Sequence, residues 1–435
     1  MSDKLESKAL PIVLLTVFLD VLGIGILIPV LPQLVFRIFQ PAGFSYDTAL
    51  ITLGWLTAIY PLMQFFSTPI LGQLSDRFGR KPVLSFSIIG SAVGYVIFAI
   101  GIITKNIPLL FIGRAFDGIT GGNLSVARAV IADISVPEHR AKNFGLIGAC
   151  FGMGFVLGPY IGARLATPHA AVFGLFHTPG WFGPAVPFWF AAILCLINAI
   201  SVILILPETH RYINNTLRLT WDKALSNIRK AAVSPRLRVI FTAEFLFWGG
   251  FTFFTTFIQI LLIKKLHFTT SNIGDFFAYI GIWIAITQVL ILPRLIKRFK
   301  PYQILYVSLI GNAVSLFLYL LPSSTTQLLL IAPISSIFNG LTIASSSAVV
   351  SLSADGETQG EVLGIEASVQ ALAQSVPAII SGYVATLGAR MPIVVGGFVI
   401  LAGGLIYNLF YRPPTEPKTE GSSGGALVSA DNNHN

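Results

Sequence analysis

The chain has 435 residues, 54% of them hydrophobic and only 11% charged, with a net charge of +9 and a mean hydropathy of +0.77. Soluble domains carry about 25% charged residues, so an ordinary globular enzyme is excluded and an integral membrane protein is implied. The positive charge does not signal nucleic acid, because the basic residues are not gathered on a soluble domain.

A bilayer core takes roughly 20 apolar residues per helix, and twelve such stretches can be marked along the chain. Transmembrane barrels would instead show alternation over about ten residues. Met1 to Ala9 is short and polar, and the apolar run from Leu10 to about Phe36 is too long for the core of a signal peptide. Asp20 lies near the middle of that run, in FLDVLGIGILIPVLP. An ionised aspartate there costs roughly 2.5 to 3.5 kcal/mol on insertion scales, so Asp20 must face protein or water. Gly23, Gly25, Pro29 and Pro32 predict a helix bent around a cavity. Spans two and three, about Thr48 to Leu71 and Pro82 to Ile103, flank GQLSDRFGRKPVL, which runs from Gly72 to Leu84. Asp76, Arg77, Arg80 and Lys81 are too polar for hydrocarbon, which predicts a short surface turn joining neighbouring helices. Gly72 and Gly79 allow close approaches there, and Pro82 suits the first turn of the following helix.

Span four, about Ile107 to Ile131, holds Arg114 with Asp117 three residues on, neighbours on one helical face. Two readings stand side by side: a local structural ion pair, or a lining of a transport cavity. Asp133 closes this span. Span five, about Asn143 to Ala166, carries Gly145, Gly154, Gly158, Pro159 and Gly162. Glycine at every fourth position opens a groove for another helix backbone, and Pro159 permits a bend. Thr167 to Val186 reads as an external loop resting on the membrane interface. Span six covers about Pro187 to Leu206. The basic stretch Pro207 to Arg238 then reads as a linker whose segment WDKALSNIRKAAV forms an amphipathic helix against anionic lipid. Spans seven to twelve follow at about Val239 to Ile263, Ser271 to Leu292, Tyr302 to Leu321, Gln327 to Leu352, Val362 to Leu387 and Pro392 to Phe410. The polar tail reads as disordered. The organisation is therefore a bundle over 1–206, a linker over 207–238, a second bundle over 239–411 and a tail over 412–435.

Lys4, Lys8, Arg77, Arg80, Lys81, Arg140, Lys142, the linker set, Arg294, Lys297, Arg298, Lys300, Arg412 and Lys418 fall on one side of the twelve spans. Only Arg37, Lys105, Lys264, Lys265 and Arg390 fall on the other. The positive-inside rule then puts both termini in the cytoplasm. Cys150 and Cys195 lie within spans and suggest packing, and the histidines show no ligand spacing, so no metal is expected. No GxxxxGK[ST] loop is present, so energy must come from elsewhere than a built-in ATP motor. PEHRAKNFGLIGA and GETQGEVLGIEAS pair Glu138, Gly145 and Ala149 with Glu357, Gly364 and Ser368 at a constant offset near half the chain. That is the duplication expected of two related bundles.

GQLSDRFGRKPVL resembles the loop signature of the major facilitator superfamily, G-x-L-x-D-R-x-G-R-K-P-x-L, at every defined position. Arg114 and Gly118 resemble the fourth-span signature of that family. Gly145 to Ala163 resembles its antiporter signature, G(x)8G(x)3GP(x)2GG, with Ala163 in place of the last glycine. Similarity is closest to drug:proton antiporters of the tetracycline-exporter type, in FLDVLGIGILIPVLP, in IADISVPEHRAKNFGLIGACFGMGFVLGP and in LPETH. The resemblance implies an all-α membrane protein of the major facilitator fold, with twelve transmembrane helices in two six-helix bundles. It implies a monomer in the plasma (inner) membrane, and proton-coupled export of a small amphipathic compound by alternating access. The proton gradient is then the energy source, with no cofactor, no catalytic residue and no nucleic-acid partner. It also implies a cytoplasmic latch of Asp76, Arg80 and Asp133, with Gly72, Arg77, Gly79 and Lys81 in the same loop and Glu361 opening the facing helix. Tetracycline exporters carry acids where Gly94 and Asn312 align and a histidine near Ile284, so tetracycline itself is in doubt.

Proton coupling needs a group whose charged form is costly in one state and solvated in another. Asp20 is the first candidate, tuned by Arg114 and Asp117, with Glu244 and Glu366 as second-rank carriers. Asn339, Gln370, Gln374 and Tyr383 are polar exceptions that could line the path. Uptake or facilitated exit of a metabolite is the alternative within transport, and a non-transporting receptor or scaffold is the alternative from another class.

Overall fold

The computed structural model describes residues 2–135, 137–209, 220, 222–233, 235–353 and 359–412. Its helices in the first half are α1 Ser2–Leu27, α2 Leu31–Leu34, α3 Tyr46–Phe78, α4 Arg80–Ile103, α5 Ile107–Thr120, α6 Asn123–Ile134, α7 Pro137–Leu165 and α8 Val186–Ile205. A two-stranded hairpin, β1 Ala171–Val172 with β2 Phe176–His177, lies between α7 and α8. The linker contains α9 Lys223–Val233, and the second half holds α10 Pro235–Leu266, α11 Thr270–Ile286, α12 Leu292–Leu295, α13 Pro301–Leu318, α14 Thr325–Leu352, α15 Gln359–Thr386 and α16 Met391–Phe410. Gly360, Glu361 and Gly145 belong to helices, but their side-chain surroundings lie outside the described residues, as does the tail beyond Arg412.

Ten of these helical stretches are long and apolar enough to cross a membrane. Expected spans four and eleven fall short for physical reasons. Span four is broken into pieces of 14 and 12 residues, and α15 interrupts its apolar surface with Glu366, Gln370 and Gln374. The loop between spans two and three also differs from expectation. It is no extended turn: α3 continues through Gly72 to Phe78, α4 begins at Arg80, and Gly79 alone breaks the helix at φ +100°. A side chain is strained at that angle, so one glycine makes the hinge. Span one bends where predicted, with turns at Ile28–Val30 bracketing Pro29 before α2.

Four helices that start on the face opposite the basic loops open on a polar cap. Ser45 accepts from the Thr48 amide at 3.1 Å, Asn106 from Leu109 at 3.1 Å and Ser324 from Gln327 at 3.3 Å. Thr269 and Asn272 form a reciprocal capping box.

Two apolar cores result. One gathers buried residues mainly of α1 to α8, and the other those of α10 to α16. The halves meet on the face opposite the basic loops, where α3 packs on α15 and α7 on α11. A Cβ on Gly54 would sit 2.8 Å from the Ala378 carbonyl, and one on Gly281 would sit 2.9 Å from the Val156 Cα, so backbones touch. Polar contacts pin the same seam. Arg164 Nη2 donates to Asp275 Oδ1 at 2.6 Å, and Gln33 Nε2 to Thr270 Oγ1 at 2.9 Å. Lys264 Nζ lies 4.0 Å over the Tyr46 ring.

The linker helix departs from the sequence expectation. Its buried side is not an apolar stripe laid on lipid but the small residues Ala224, Asn227 and Ala231. Ala224 packs between Phe65 of α3 and Ala371 of α15, and Asn227 Nδ2 donates to Ser368 Oγ at 3.1 Å. Small side chains let α9 wedge between the bundles, while Leu225 and Val233 remain exposed.

The Arg164–Asp275 pair has one half-exposed partner, with side-chain exposures of 17% and 46%, so it is a weak clasp. Arg164→Asp should destabilise the closed seam by at most about 1 kcal/mol, roughly fivefold in the open-to-closed ratio. Thiol-labelling rates of a cysteine in place of Thr270, whose hydroxyl is covered by Gln33 across the seam, would report this opening, and Asp275→Arg in the same chain should restore the original rate.

Candidate functional site

Gly121 and Gly122 end α5 and let the chain restart as α6 at Asn123. The break frees carbonyls that must be satisfied away from water. Gln64 Nε2 donates to the Gly121 carbonyl at 2.8 Å, Ser67 Oγ to that of Gly118 at 2.9 Å, and the Ser87 hydroxyl to that of Thr120. Asn123 opens α6, and its Nδ2 donates to Asp20 Oδ1 at 2.7 Å. A helix N-terminus favours a neighbouring anion, so the break builds a polar socket for Asp20 within hydrocarbon. Asp20 Oδ2 is buried and has no partner among the described residues, which leaves one oxygen for a proton or a ligand.

Arg114 Nη1 meets Asp117 Oδ2 at 3.1 Å with both side chains almost fully buried, and the guanidinium lies 4.4 Å over the Tyr60 ring. Arg114 therefore pairs with Asp117, and Asp20 is held by Asn123. A Cβ on Gly94 would lie 2.8 Å from that of Asp117, so Asp117 fills the space beside α4. Asn123, Gln64 and Tyr60 were not singled out in the sequence, although Gly121–Gly122 inside an apolar span was a readable sign of a break.

The glycines of α7 stand directly behind Asp20. Cβ atoms on Gly154 and Gly158 would lie 2.7 Å from Val21 Cγ1 and from the Leu22 carbonyl, and one on Gly162 would lie 2.5 Å from the Ile26 carbonyl. The other side of α7, at Val156, Pro159 and Ala163, meets Gly281 and Gly274 of α11. Ala163, the departure from the glycine pattern, is thus accommodated by a glycine on the facing helix.

In the second bundle the structure brings Glu244, Glu366 and Gln370 together. Gln370 Nε2 lies 3.1 Å from Glu244 Oε1 and 3.3 Å from Glu366 Oε1. Asn339 is buried with both amide atoms unpartnered among the described residues, and Gln374 is half-buried in α15. Tyr383 does not join them. It is 51% exposed and accepts from Trp55 Nε1 at 3.5 Å across the seam, because it lies near the far end of α15.

Three of the residues expected in a latch, Arg80, Asp76 and Asp133, cluster within the first bundle. Arg80 Nη1 meets Asp76 Oδ1 at 2.5 Å and Arg80 Nε meets Asp133 Oδ2 at 3.0 Å, with Ser75 Oγ accepting from Nη1 at 2.6 Å. Glu208, the acid of LPETH, was missed as a member. Its carboxylate accepts from the backbone amides of Arg80 at 2.9 Å and Lys81 at 3.1 Å, holding the N-terminus of α4. Arg77 lies 5.2 Å from the Phe78 ring centre, outside the Arg80 cluster. Gly72 keeps the helix surface open toward Ser125. The cross-bundle arm expected at Glu361 lies outside the described residues.

The signature of the Major Facilitator Superfamily matches residues 13–334. The chain belongs to the major facilitator superfamily. Among major facilitator proteins it is similar to the class C tetracycline resistance protein of Escherichia coli, 31% identical over 369 residues that cover 84% of this chain and 87% of that one. It is similar also to multidrug resistance protein 2 of Bacillus subtilis, 26% identical over 92% of this chain and 94% of that protein. The major facilitator fold is further seen in its likeness to the human organic anion transporter MFSD10. That structure has a TM-score of 0.70 and 22% identity, covering 92% of this chain and 99% of that one.

Two substitutions test the packing and the latch. Gly158→Leu forces α7 from α1 and should destabilise the protein by about 1 to 3 kcal/mol, read as an earlier thermal unfolding transition in detergent. Arg80→Ala leaves Asp133 and Asp76 unpaired, but their side chains are 23% and 43% exposed. The loss should therefore fall below the roughly 3 to 5 kcal/mol of a fully buried broken pair, by the same measurement.

Proposed function

We propose that the chain is a proton-coupled exporter of small amphipathic compounds. It works by alternating access in the plasma membrane, with both termini in the cytoplasm. The observation that carries this reading is the Asp20 carboxyl seated on Asn123 at the break in span four, with one buried oxygen unpartnered. The relatives named for tetracycline and multidrug resistance support export.

The physical sequence follows from the packing. Protonated Asp20 is neutral and tolerates a closed, dry surrounding, whereas ionised Asp20 needs Asn123, the α6 N-terminus and water or a substrate. The glycine groove couples α1 to α7, and the opposite side of α7 bears on α11 of the second bundle. A change of charge at Asp20 is thereby felt at the seam between the bundles, and rocking of one bundle on the other exposes the site to alternate faces. Arg114 is bonded to Asp117, so that pair presents little net charge to Asp20. The proton gradient drives the cycle, and the chain acts as a monomer without nucleic acid, resident cofactor or catalytic step. With Gly94 closed by Asp117 and a neutral Asn312 fully buried, tetracycline is the least expected of the compounds exported.

The test is flux in vesicles of purified protein under an imposed pH gradient, followed with a lumenal pH dye as tetraphenylphosphonium, tetracycline or a sugar is added. Wild type should move protons on addition of an exported compound, and Asp20→Asn should reduce that movement at least about 100-fold, the scale expected for losing a proton-transfer group. Gradient-independent metabolite flux with no proton movement would instead identify a facilitator.

A further inference from the structure

Glu244 of α10 and Glu366 of α15 are 3% and 2% exposed. Both stand about two turns inside the start of their helices on the basic face. One amide nitrogen, Gln370 Nε2, touches an oxygen of each, so the two carboxyl groups stand side by side. A hydrogen bond between two carboxyls requires a proton on one of them, and two carboxylates without that proton repel in a medium of low dielectric. Around the pair the supply of donors is limited. Gln370 reaches one oxygen of each acid at 3.1 and 3.3 Å, and Ser347 Oγ donates to Glu366 Oε1 at 3.0 Å. Ser346 stands beside Glu244. Glu244 Oε2 is buried with no hydrogen-bond partner among the described residues. The charged group acting on Glu366 from the other bundle is Arg128 of α6.

We propose that Glu244 and Glu366 share one exchangeable proton and so form a second proton site, in the C-terminal bundle and separate from Asp20. Its part in transport rests on the exporter reading, while its existence does not. The step balances without another reactant. The acid holding the proton releases it as a hydrated proton toward the basic face, leaving two carboxylates, and reprotonation from the opposite face restores the pair. In the ionised state the two amide hydrogens of Gln370 serve one carboxylate each, and Ser346 and Ser347 serve the remainder. The extra negative charge also attracts Arg128 across the gap between bundles, so loss of the proton favours closure of that side. The pair therefore couples occupancy to bundle position by a route that does not pass through α7.

The experiment uses the full chain in lipid nanodiscs and follows the carbonyl-stretch band of protonated carboxylic acids by infrared difference spectroscopy through a pH titration. Glu244→Gln and Glu366→Gln should each abolish the same band, and the double variant should lose no more than either alone. Asp20→Asn should remove a different band, whose survival in the glutamate variants shows that they are folded. A pair band unchanged in both single variants, or losses that add in the double variant, would overturn the shared proton. A parallel arm uses vesicles with tetraphenylphosphonium or tetracycline as the probe. The number of protons moved per probe molecule should fall by about half in Glu366→Gln, one exchangeable proton of two being gone. An unchanged ratio would overturn the site's role in coupling. Should wild type move no protons with either probe while the glutamate variants still abolish the band, the exporter reading fails and the proton site stands.

Discussion

In a bilayer no charge and no backbone hydrogen-bonding group can be left to solvent, and that requirement shapes each unusual feature of this chain. Asp20 is retained in an apolar helix only because the neighbouring span breaks beside it and presents Asn123. The break in turn is tolerable because Gln64, Ser67 and Ser87 take up the carbonyls it releases. Arg114 is tolerable because Asp117 lies one turn away and Tyr60 covers its face. Removing any one group leaves another buried and unmatched, so the polar interior is one connected structure and not a scatter of isolated exceptions.

That structure is mechanically linked to the seam between the bundles through α7. Its glycines press one side onto α1 just beyond Asp20, and its other side meets α11 of the second bundle. Backbones in contact transmit displacement with little slack, because no flexible side chain lies between them to absorb it. A proline in the same helix, Pro159, sits at the contact with Gly25, where a local loss of one hydrogen bond permits bending. The helix that the sequence marks by its glycine pattern is therefore both the wall behind the charged site and part of the bearing surface between halves.

Much of this was legible in the sequence, and the misses have physical causes. Asp20, Arg114 and Arg80 could be found because charge in an apolar run is costly enough to need a reason. The pairing of Arg80 with Asp76 and Asp133 was readable from the loop signature. Glu208 was not, since an acid at the end of a span reads as an ordinary surface charge until the fold brings it to the amides of Arg80 and Lys81. The linker helix was predicted as a helix but assigned to lipid. Periodicity shows that a face is distinct, whereas whether small residues meet lipid or a neighbouring helix is decided by tertiary packing. Helix ends moved outward by several residues because polar residues such as Gln73 and Asp76 continue a helix beyond the hydrocarbon boundary. The contact between Glu244 and Gln370 spans 126 positions, and no local pattern encodes it.

The distribution of strong and weak contacts fits a molecule that moves as two bodies. Within the first bundle, Arg80 is nearly buried and binds two acids and a serine, and Glu208 ties in the end of span six. The polar contacts across the seam are of another kind. Asp275, Trp55 and Tyr383 are all more than 40% exposed, so water can replace their partners at little cost, and the buried Gln33 holds Thr270 as a firmer point on the same seam. The close contacts at Gly54 and Gly281 add dispersion, and at Gly281 the groove is filled by the compact Val156 side chain and its backbone. A seam made this way separates without unfolding either side, while the tightly cross-linked bundles keep their shape. The protein has therefore placed its strong interactions where rigidity is needed and its weak ones where the two halves must part.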